Sequence, residues 1–460
     1  MSRIDELIQE LCPDGVEYKA LGEVGDSFGG LTGKSKDDFQ DGNAKYLTYM
    51  NVYSNPAANL DQDARVRLSD EEKQRELFLG DILVTGSSET PDDCGMTSVI
   101  TEKPKEPTYL NSFCFCFRFT EPELFDPDFC KHLFRSWNIR KQIIKTANGV
   151  TRFNISKGKF GKIIIPIPPI EIQQEIVRVL DSFTELEAEL EAELEARQRQ
   201  YNFYQRQLLD FPELSAMERS TIGDVADILI GFPFKSESFT SDSDDTRLIR
   251  GDNVVQGRIR HENCKYWRRY QGDQLEQYEL RADDIVLAMD RPWIPAGLKW
   301  AQITTNDLPC LLVQRVARLR GNPAIIHQRF LCHLISSISF TKHVLALQTG
   351  NTVPHISGQQ IRSFEFVLPP LAEQQRIVVI LDRFDALVND ISVGLPAELA
   401  ARRKQYEYYR DKLLTFKAAT KPKLEIEKEI GELLEAKRAT EEIHKIDFSN
   451  EEDLEGWDEW

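Results

Sequence analysis

Two stretches of this 460-residue chain hold many cations and no carboxylate. Phe129 to Ile170 lacks Asp and Glu but carries Lys131, Arg135, Arg140, Lys141, Lys145, Arg152, Lys157, Lys159 and Lys162. Leu308 to Phe364 is acid-free as well, with Arg315, Arg318, Arg320, Arg329, Lys342 and Arg362. A third stretch, RGDNVVQGRIRHENCKYWRRY, interleaves Arg250, Arg258, Arg260, Lys265, Arg268 and Arg269 with Tyr266, Trp267 and Tyr270. Guanidinium and ammonium groups hold phosphate oxygens, and Arg, Asn and Gln also match base edges in a major groove. The formal net charge of −18 argues the other way. Averages conceal arrangement, however: the acids collect in ELEAELEAELEA and beyond Phe416. A merely solvated basic face is the plain alternative for either window alone. Its recurrence in both halves of the chain weighs against that alternative.

Signs of catalysis are absent. GGLTGKS resembles a phosphate loop until the spacing is counted: the slot of the first required glycine holds Phe28. The matching stretch later in the chain has Phe234 in place of Gly33, which leaves Lys34 and Lys235 as simple phosphate partners. No Asn-Pro-Pro-aromatic stretch, dinucleotide glycine signature or Ser/His/Asp set is present. Asp283-Asp284 reads as a strand start. Eight scattered cysteines without a C-x-x-C pair read as reduced, buried thiols, and no metal-ligand spacing occurs. No apolar run reaches the length of a membrane span, so a soluble, cytoplasmic protein is expected.

The elements that would position these cations come twice. IPPIEIQQEIVRVLDSF at Ile167 returns as LPPLAEQQRIVVILDRF at Leu368. GDILVTG at Gly80 answers to DDIVLAM at Asp283, and NGVTRFNIS to GNTVPHIS. RQRQYNFYQRQLLDF answers to RRKQYEYYRDKLLTF. The chain is therefore a tandem repeat of a globular part followed by a long helix. DILVTG, FCFCFRF, KIIIPI, DIVLAM, LLVQRVARL and FEFVL predict strands, while FDPDFCKHLFRSWNIRKQIIK and HQRFLCHLISSISFTKHVL each predict a helix. The class is α+β.

Apolar residues recur at helical spacing in both long segments: Ile176, Leu180, Phe183, Leu190, Leu194 and Tyr201 in the first, Ile377, Leu381, Phe384, Ile391, Tyr406 and Leu413 in the second. Each segment begins acidic and ends basic, so antiparallel pairing sets acid against base. An antiparallel coiled coil is expected, with a kink or break at Gly394-Leu395-Pro396. A surface helix packed on its own domain is the alternative.

The doubled PP-x-x-x-QQ-x-I-V-x-x-LD-x-F, the opening IDELIQELCPDGVEYKALGEV, TVPHIS and GLPAELAARRKQYEYYRDKLLTF together resemble the specificity subunit of type I restriction–modification enzymes. The resemblance runs to about Phe416. It implies two homologous α/β-mixed target-recognition domains separated by two long helices in an antiparallel coiled coil, a pseudo-twofold tandem repeat. It also implies a non-catalytic chain that reads an asymmetric bipartite double-stranded DNA target. Partners would be two methyltransferase subunits carrying S-adenosylmethionine, and restriction subunits using ATP and Mg. The expected division is a lead at 1–20, recognition domains at 21–166 and 216–367, spacer helices at 167–215 and 368–417, and an acidic extension at 418–460. Candidate DNA contacts are Lys34, Arg140, Lys141, Lys145, Thr151, Arg152, Lys157 and Lys159 in the first domain. In the second they are Lys235, Arg250, Arg258, Arg260, Arg268, Arg269, Arg329, Thr352 and His355. A coiled-coil scaffold joining two protein-binding heads, without DNA specificity, is the competing reading.

Overall fold

The computed structural model describes residues 2–69, 71–209, 219–269, 274–295, 297–347, 354–389 and 394–419. The expected acidic extension, apart from its first two residues, lies outside them, as do Ile391 and Thr352. The chain divides into two compact units, Met1–Leu186 with Arg402–Trp460, and Glu187–Ala401. The division falls inside the long helical segments rather than at their ends.

Both units are built on one plan. In the first, the strands Gly25–Gly29, Cys114–Phe119, Ile82–Thr85 and Thr97–Val99 form an antiparallel sheet in that order. A second sheet sets Ala44–Leu47 between Arg65–Val66 and Thr108–Leu110. The other unit repeats both, with Ala226–Ile230, Val316–Gly321, Ile285–Ala288 and Trp300–Gln302 in the first sheet. Its second sheet sets Thr246–Ile249 between Lys265–Trp267 and Cys310–Leu312. Alternation along Cys114–Phe119 sends both faces into cores, which explains why FCFCFRF is apolar apart from Arg118. Phe115, Phe117 and Phe119 enter the core that holds Phe129, Phe134 and Phe160, while Cys114 and Cys116 enter a second core with Leu47 and Leu83. Seven of the eight cysteines are buried. Burial pushes the thiols of Cys114, Cys310 and Cys332 up to about 12. Among the described residues no single helix is long and apolar enough to cross a membrane.

Two expectations change. FDPDFCKHLFRSWNIRKQIIK is two helices, Pro127–Leu133 and Trp137–Thr146, because the Ser136 hydroxyl donates to the Leu133 carbonyl (2.6 Å) and ends the first. Its counterpart breaks at the same place, into Gln328–Ile335 and Ile338–Leu347. LLVQRVARL is likewise two strands in different sheets, parted where Arg315 turns with φ 66°.

The repeated stretch IPPIEIQQEIVRVLDSF and LPPLAEQQRIVVILDRF is the joint between each globular part and its helix. The first helix runs unbroken over Ile170–Leu209; the second segment is Leu371–Asn389 and then Leu395–Leu413. Gln173 is fully buried. Its Nε2 donates to the carbonyls of Leu124 and Pro168 (both 2.8 Å), and its Oε1 accepts from the Asp126 amide (2.9 Å). Gln374, equally buried, does the same in the other unit with Ile325 (3.0 Å), Pro369 (2.8 Å) and the His327 amide (2.7 Å). About two turns on, the Asp of LD-x-F takes a buried histidine: His132 Nε2 lies 2.8 Å from Asp181, and His333 Nε2 2.8 Å from Asp382. Tyr406 closes the other side of the first ring, its hydroxyl 2.8 Å from His132 Nδ1.

The seam residues divide between two jobs. Ile176 and Leu180 sit in the first unit's own core, where Tyr406 and Leu413 pack against them. Ile377, Leu381 and Tyr201 sit in the second unit's core, flanked by Leu194 and Phe384. Leu190 is half-buried. The packed-surface-helix alternative therefore holds for the first turns of each helical segment. Helix meets helix at the motif phenylalanines: Phe183 stacks on Tyr409 (5.4 Å) in one unit and Phe384 on Tyr204 (5.3 Å) in the other. Each stack joins the first segment to the second inside one unit. Each unit thus borrows helix from the other repeat. In the first unit the loan extends to a backbone splice, Val16 N to Lys417 O (2.8 Å) and Ala419 N to Val16 O (2.9 Å).

Removing the Gln173 carboxamide strands two carbonyls and one amide in the interior. A Gln173→Leu variant should lose about 1–3 kcal/mol of stability, read as a lower midpoint in urea; an unchanged midpoint would deny the joint its role. Acid should also loosen the first unit. Burial pulls the His132 imidazole below its ordinary value, with Asp181 opposing. Burial pushes the Asp181 carboxyl up, but hydrogen bonds from His132 and Lys131 leave it below the usual range. Both groups bind protons more readily unfolded. Their contribution is complete above about pH 6.5 and falls away below it, His132 first. The thermal midpoint should drop as pH falls from about 7 to about 5, and His132→Gln should flatten that slope.

Candidate nucleic-acid interface

In the first unit the exposed cations gather on three neighbouring segments. Lys141 and Lys145 stand on the outer side of helix Trp137–Thr146, whose inner side buries Ile139 and Ile143. Ser156 caps the short helix Lys157–Phe160, which anchors Phe160 in the core and leaves Lys157 and Lys159 in solvent; Lys159 Nζ reaches Asn148 Oδ1 at 2.8 Å. Between them Thr151 and Arg152 are exposed, with Arg152 donating to Ser87 Oγ (3.1 Å) over the Phe113 ring (5.6 Å).

Arg152 forms one wall of a cleft of about 750 Å³ shared with Tyr49, Met50, Tyr53, Asp93 and Phe113. Met50 and Phe113 are each 58% exposed there, and Val150 nearby is 95% exposed. The tyrosine hydroxyls are spoken for: Tyr49 donates to the Ser87 carbonyl (2.8 Å) and Tyr53 to Asp93 (2.9 Å). The cleft therefore offers apolar contact beside a cationic rim, a combination suited to bases and thymine methyls flanked by phosphates.

Three candidate contacts face inward. Arg140 is 8% exposed, and its guanidinium donates to the carbonyls of Gly95 (2.5 Å), Asp92 (2.7 Å) and Cys94 (3.0 Å). It clamps a loop. Lys34, with 5% of its side chain exposed, is held by the Arg67 carbonyl (2.7 Å) and Glu72. Arg329 spans Asp382 (2.6 Å), Asp385 (2.7 Å) and Gln302 (2.8 Å), tying the second globular part to its helix beside His333. Internal partners occupy all three, so none is available for phosphate.

In the second unit the candidate cations are exposed or held in surface pairs. Lys235 and Arg258 are exposed. Arg260 donates to the Asp252 carbonyl (2.9 Å), Arg268 leans on Asp245 (3.4 Å) and Arg269 on Glu279 (2.6 Å). Arg250 pairs with Asp252 (2.9 Å) over the Phe239 ring (5.4 Å). His355 Nδ1 lies 2.5 Å from Asp290, which also takes Arg315. Exposed pairs of this kind contribute little to stability and exchange readily for phosphate. Arg291 and Lys299 edge a cavity with Arg250 and Arg315 and were not among the sequence candidates. Neither lies in a cationic run, and the matching positions of the first repeat, Met96 and Ser88, carry no charge.

The family model described as "Type I restriction modification DNA specificity domain" matches twice, over residues 13–196 and 215–401. The Type I restriction enzyme EcoR124I/EcoR124II specificity subunit of Escherichia coli is 36% identical over 278 residues, 57% of this chain and 65% of that one. The EcoAI specificity subunit from the same organism is 35% identical over 170 residues, 37% of this chain and 28% of that one. The chain thus spans less than two thirds of either relative. A solved chain from work on complex assembly and conformational transition of the type I R-M system shares the fold, with a TM-score of 0.58, 17% identity, and coverage of 87% of this chain and 98% of that one. Two matches that together take in most of the sequence, on two units of one plan, make this chain a member of the type I restriction–modification DNA specificity family.

Proposed function

We propose that this chain is the DNA-reading subunit of a type I restriction–modification complex and catalyses nothing itself. Its two units each read one half of an asymmetric bipartite duplex target, and the helical segments set the unread gap. Two methyltransferase subunits, supplying S-adenosylmethionine, assemble on it, and ATP- and Mg-dependent restriction subunits join them. The observation that carries the reading is the repetition of one reader joined to one helix by the same buried Gln and His–Asp contacts. Unlike cleft chemistries in the two copies support two different half-sites, and the exposed cations support duplex binding.

Gap length is the sharpest consequence. Four residues of helix span about 6 Å, against about 3.4 Å per base pair. Deleting Leu186 to Glu189 should shorten the preferred gap by about one or two base pairs with both half-sequences intact. Methylome sequencing reads this directly, and an unaltered gap with full methylation would refute it. Binding should also weaken steeply with salt. Lys141→Ala and Lys145→Ala should each flatten the log–log slope by about 0.9, whereas Arg140→Ala should cost stability instead. A flat salt dependence of the parent protein would remove the cationic faces from the interface.

A further inference from the structure

The second unit holds a cavity of about 310 Å³ edged by Arg250, Asp252, Arg291, Lys299, Gln314 and Arg315. Lys299 is its most constrained member. It sits between the strands Gly297–Leu298 and Trp300–Gln302, its amide donating to the Pro292 carbonyl (2.7 Å) and its own carbonyl accepting from Ala288 (3.0 Å). Only 9% of the residue is exposed. Among the described residues its ammonium has neither a hydrogen-bond acceptor nor a carboxylate at ion-pair distance. Burial pulls its pKa down, Asp252 opposes this, and Arg260 and Arg291 reinforce it. The ammonium itself still meets solvent at the cavity, so an acceptor arriving from outside reaches it without displacing an internal partner.

Two neighbours carry a second mark. Arg291 (φ 44°) and Arg315 (φ 66°) both adopt the left-handed backbone that side chains rarely take, and both edge this one cavity. The Arg315 guanidinium is already paired with Asp290. The Arg291 guanidinium is exposed and has no partner among the described residues, while its amide is fixed on the Pro354 carbonyl (3.0 Å). The left-handed turn holds a free guanidinium beside the unpartnered ammonium of a largely buried lysine.

The ligand class follows from the carboxylate. Asp252 is paired with Arg250 (2.9 Å) and Asp290 with Arg315, which leaves Lys299 and Arg291, among the described residues, as the unpartnered cations of the rim beside the Asp252 carboxylate. The major-groove edge of a G·C pair presents the acceptors O6 and N7 next to the N4 donor of cytosine. Two open donors beside a carboxylate match that order. We propose that Lys299 and Arg291 read the O6/N7 edge of a guanine, with Asp252 facing the amino group of its paired cytosine. This rests on the proposed function above and deepens it. The first unit lacks the device. With Ile82 opposite Val99 and Ile285 opposite Gln302, the position of Lys299 corresponds to Met96 and that of Arg291 to Ser88. The guanine contact therefore belongs to one half-site only.

The test is the methylome of a host carrying the complete complex with Lys299→Met, which keeps the length and loses the charge, or Arg291→Gly, which keeps the left-handed backbone. The parent must first show a bipartite motif; its failure to do so sinks the proposed function rather than this contact. Given that motif, each variant should relax one or two positions of a single half-site by about tenfold or more, those positions being G·C in the parent. The gap and the other half-site should not change. An unchanged motif in both variants overturns the proposal, as does relaxation at an A·T pair. Uniform weakening over all sequences with a shallower salt slope identifies a phosphate contact and also overturns it. So does complete loss of methylation in Arg291→Gly, which would make that residue structural.

Discussion

A side-chain amide with three backbone partners decides how this protein is held together. Gln173 and Gln374 lie where a strand, a helix start and a turn converge, and each satisfies two carbonyls and one amide that would otherwise be buried unpaired. Leaving such groups bare costs more than the bonds contribute in the open chain. No other side chain of that length supplies two donors and an acceptor in one plane without charge. The angle at which each helix leaves its globular part is thereby fixed, and the His–Asp pair downstream fixes it a second time.

This division of labour explains which parts of the sequence repeat and which diverge. The joint must satisfy the same buried groups in both units, so its residues recur in register. Asp81–Arg118 and Asp284–Arg320 are another such pair, bridging neighbouring strands of the main sheet at 2.7 Å in each unit. The clefts answer to no such internal demand. Met50, Phe113 and Arg152 line one, and Asp252, Arg291 and Lys299 the other. The two units thus share one skeleton and carry two different cleft chemistries.

Much of the frame was legible in the residues. The repeat, the strands around Ile82 and Ile285 and the helical periodicity all follow from residue identity and apolar spacing, which are local properties. The fate of single cations was not legible. Arg140 and Lys141 are adjacent in sequence, yet one points at three carbonyls and the other at solvent. Charge counts do not reveal which backbone groups a fold turns inward. Nor does periodicity reveal Ser136, whose hydroxyl ends a helix that the apolar pattern carries onward. Lys299 escaped for the opposite reason: a lone cation among apolar neighbours looks like nothing until its surroundings close over it.

The borrowed helix has a temporal side. Unit Glu187–Ala401 is one uninterrupted stretch, whereas the unit that begins at residue 1 also needs Arg402 and the residues after it. Tyr406, Leu413 and Leu414 belong to the packing around its core, and Val16 has no splice until Lys417 and Ala419 exist. During synthesis, domains ordinarily mature from the amino end. Here the first reader to leave the ribosome waits for almost the last residues described, and the second reader is finished before it.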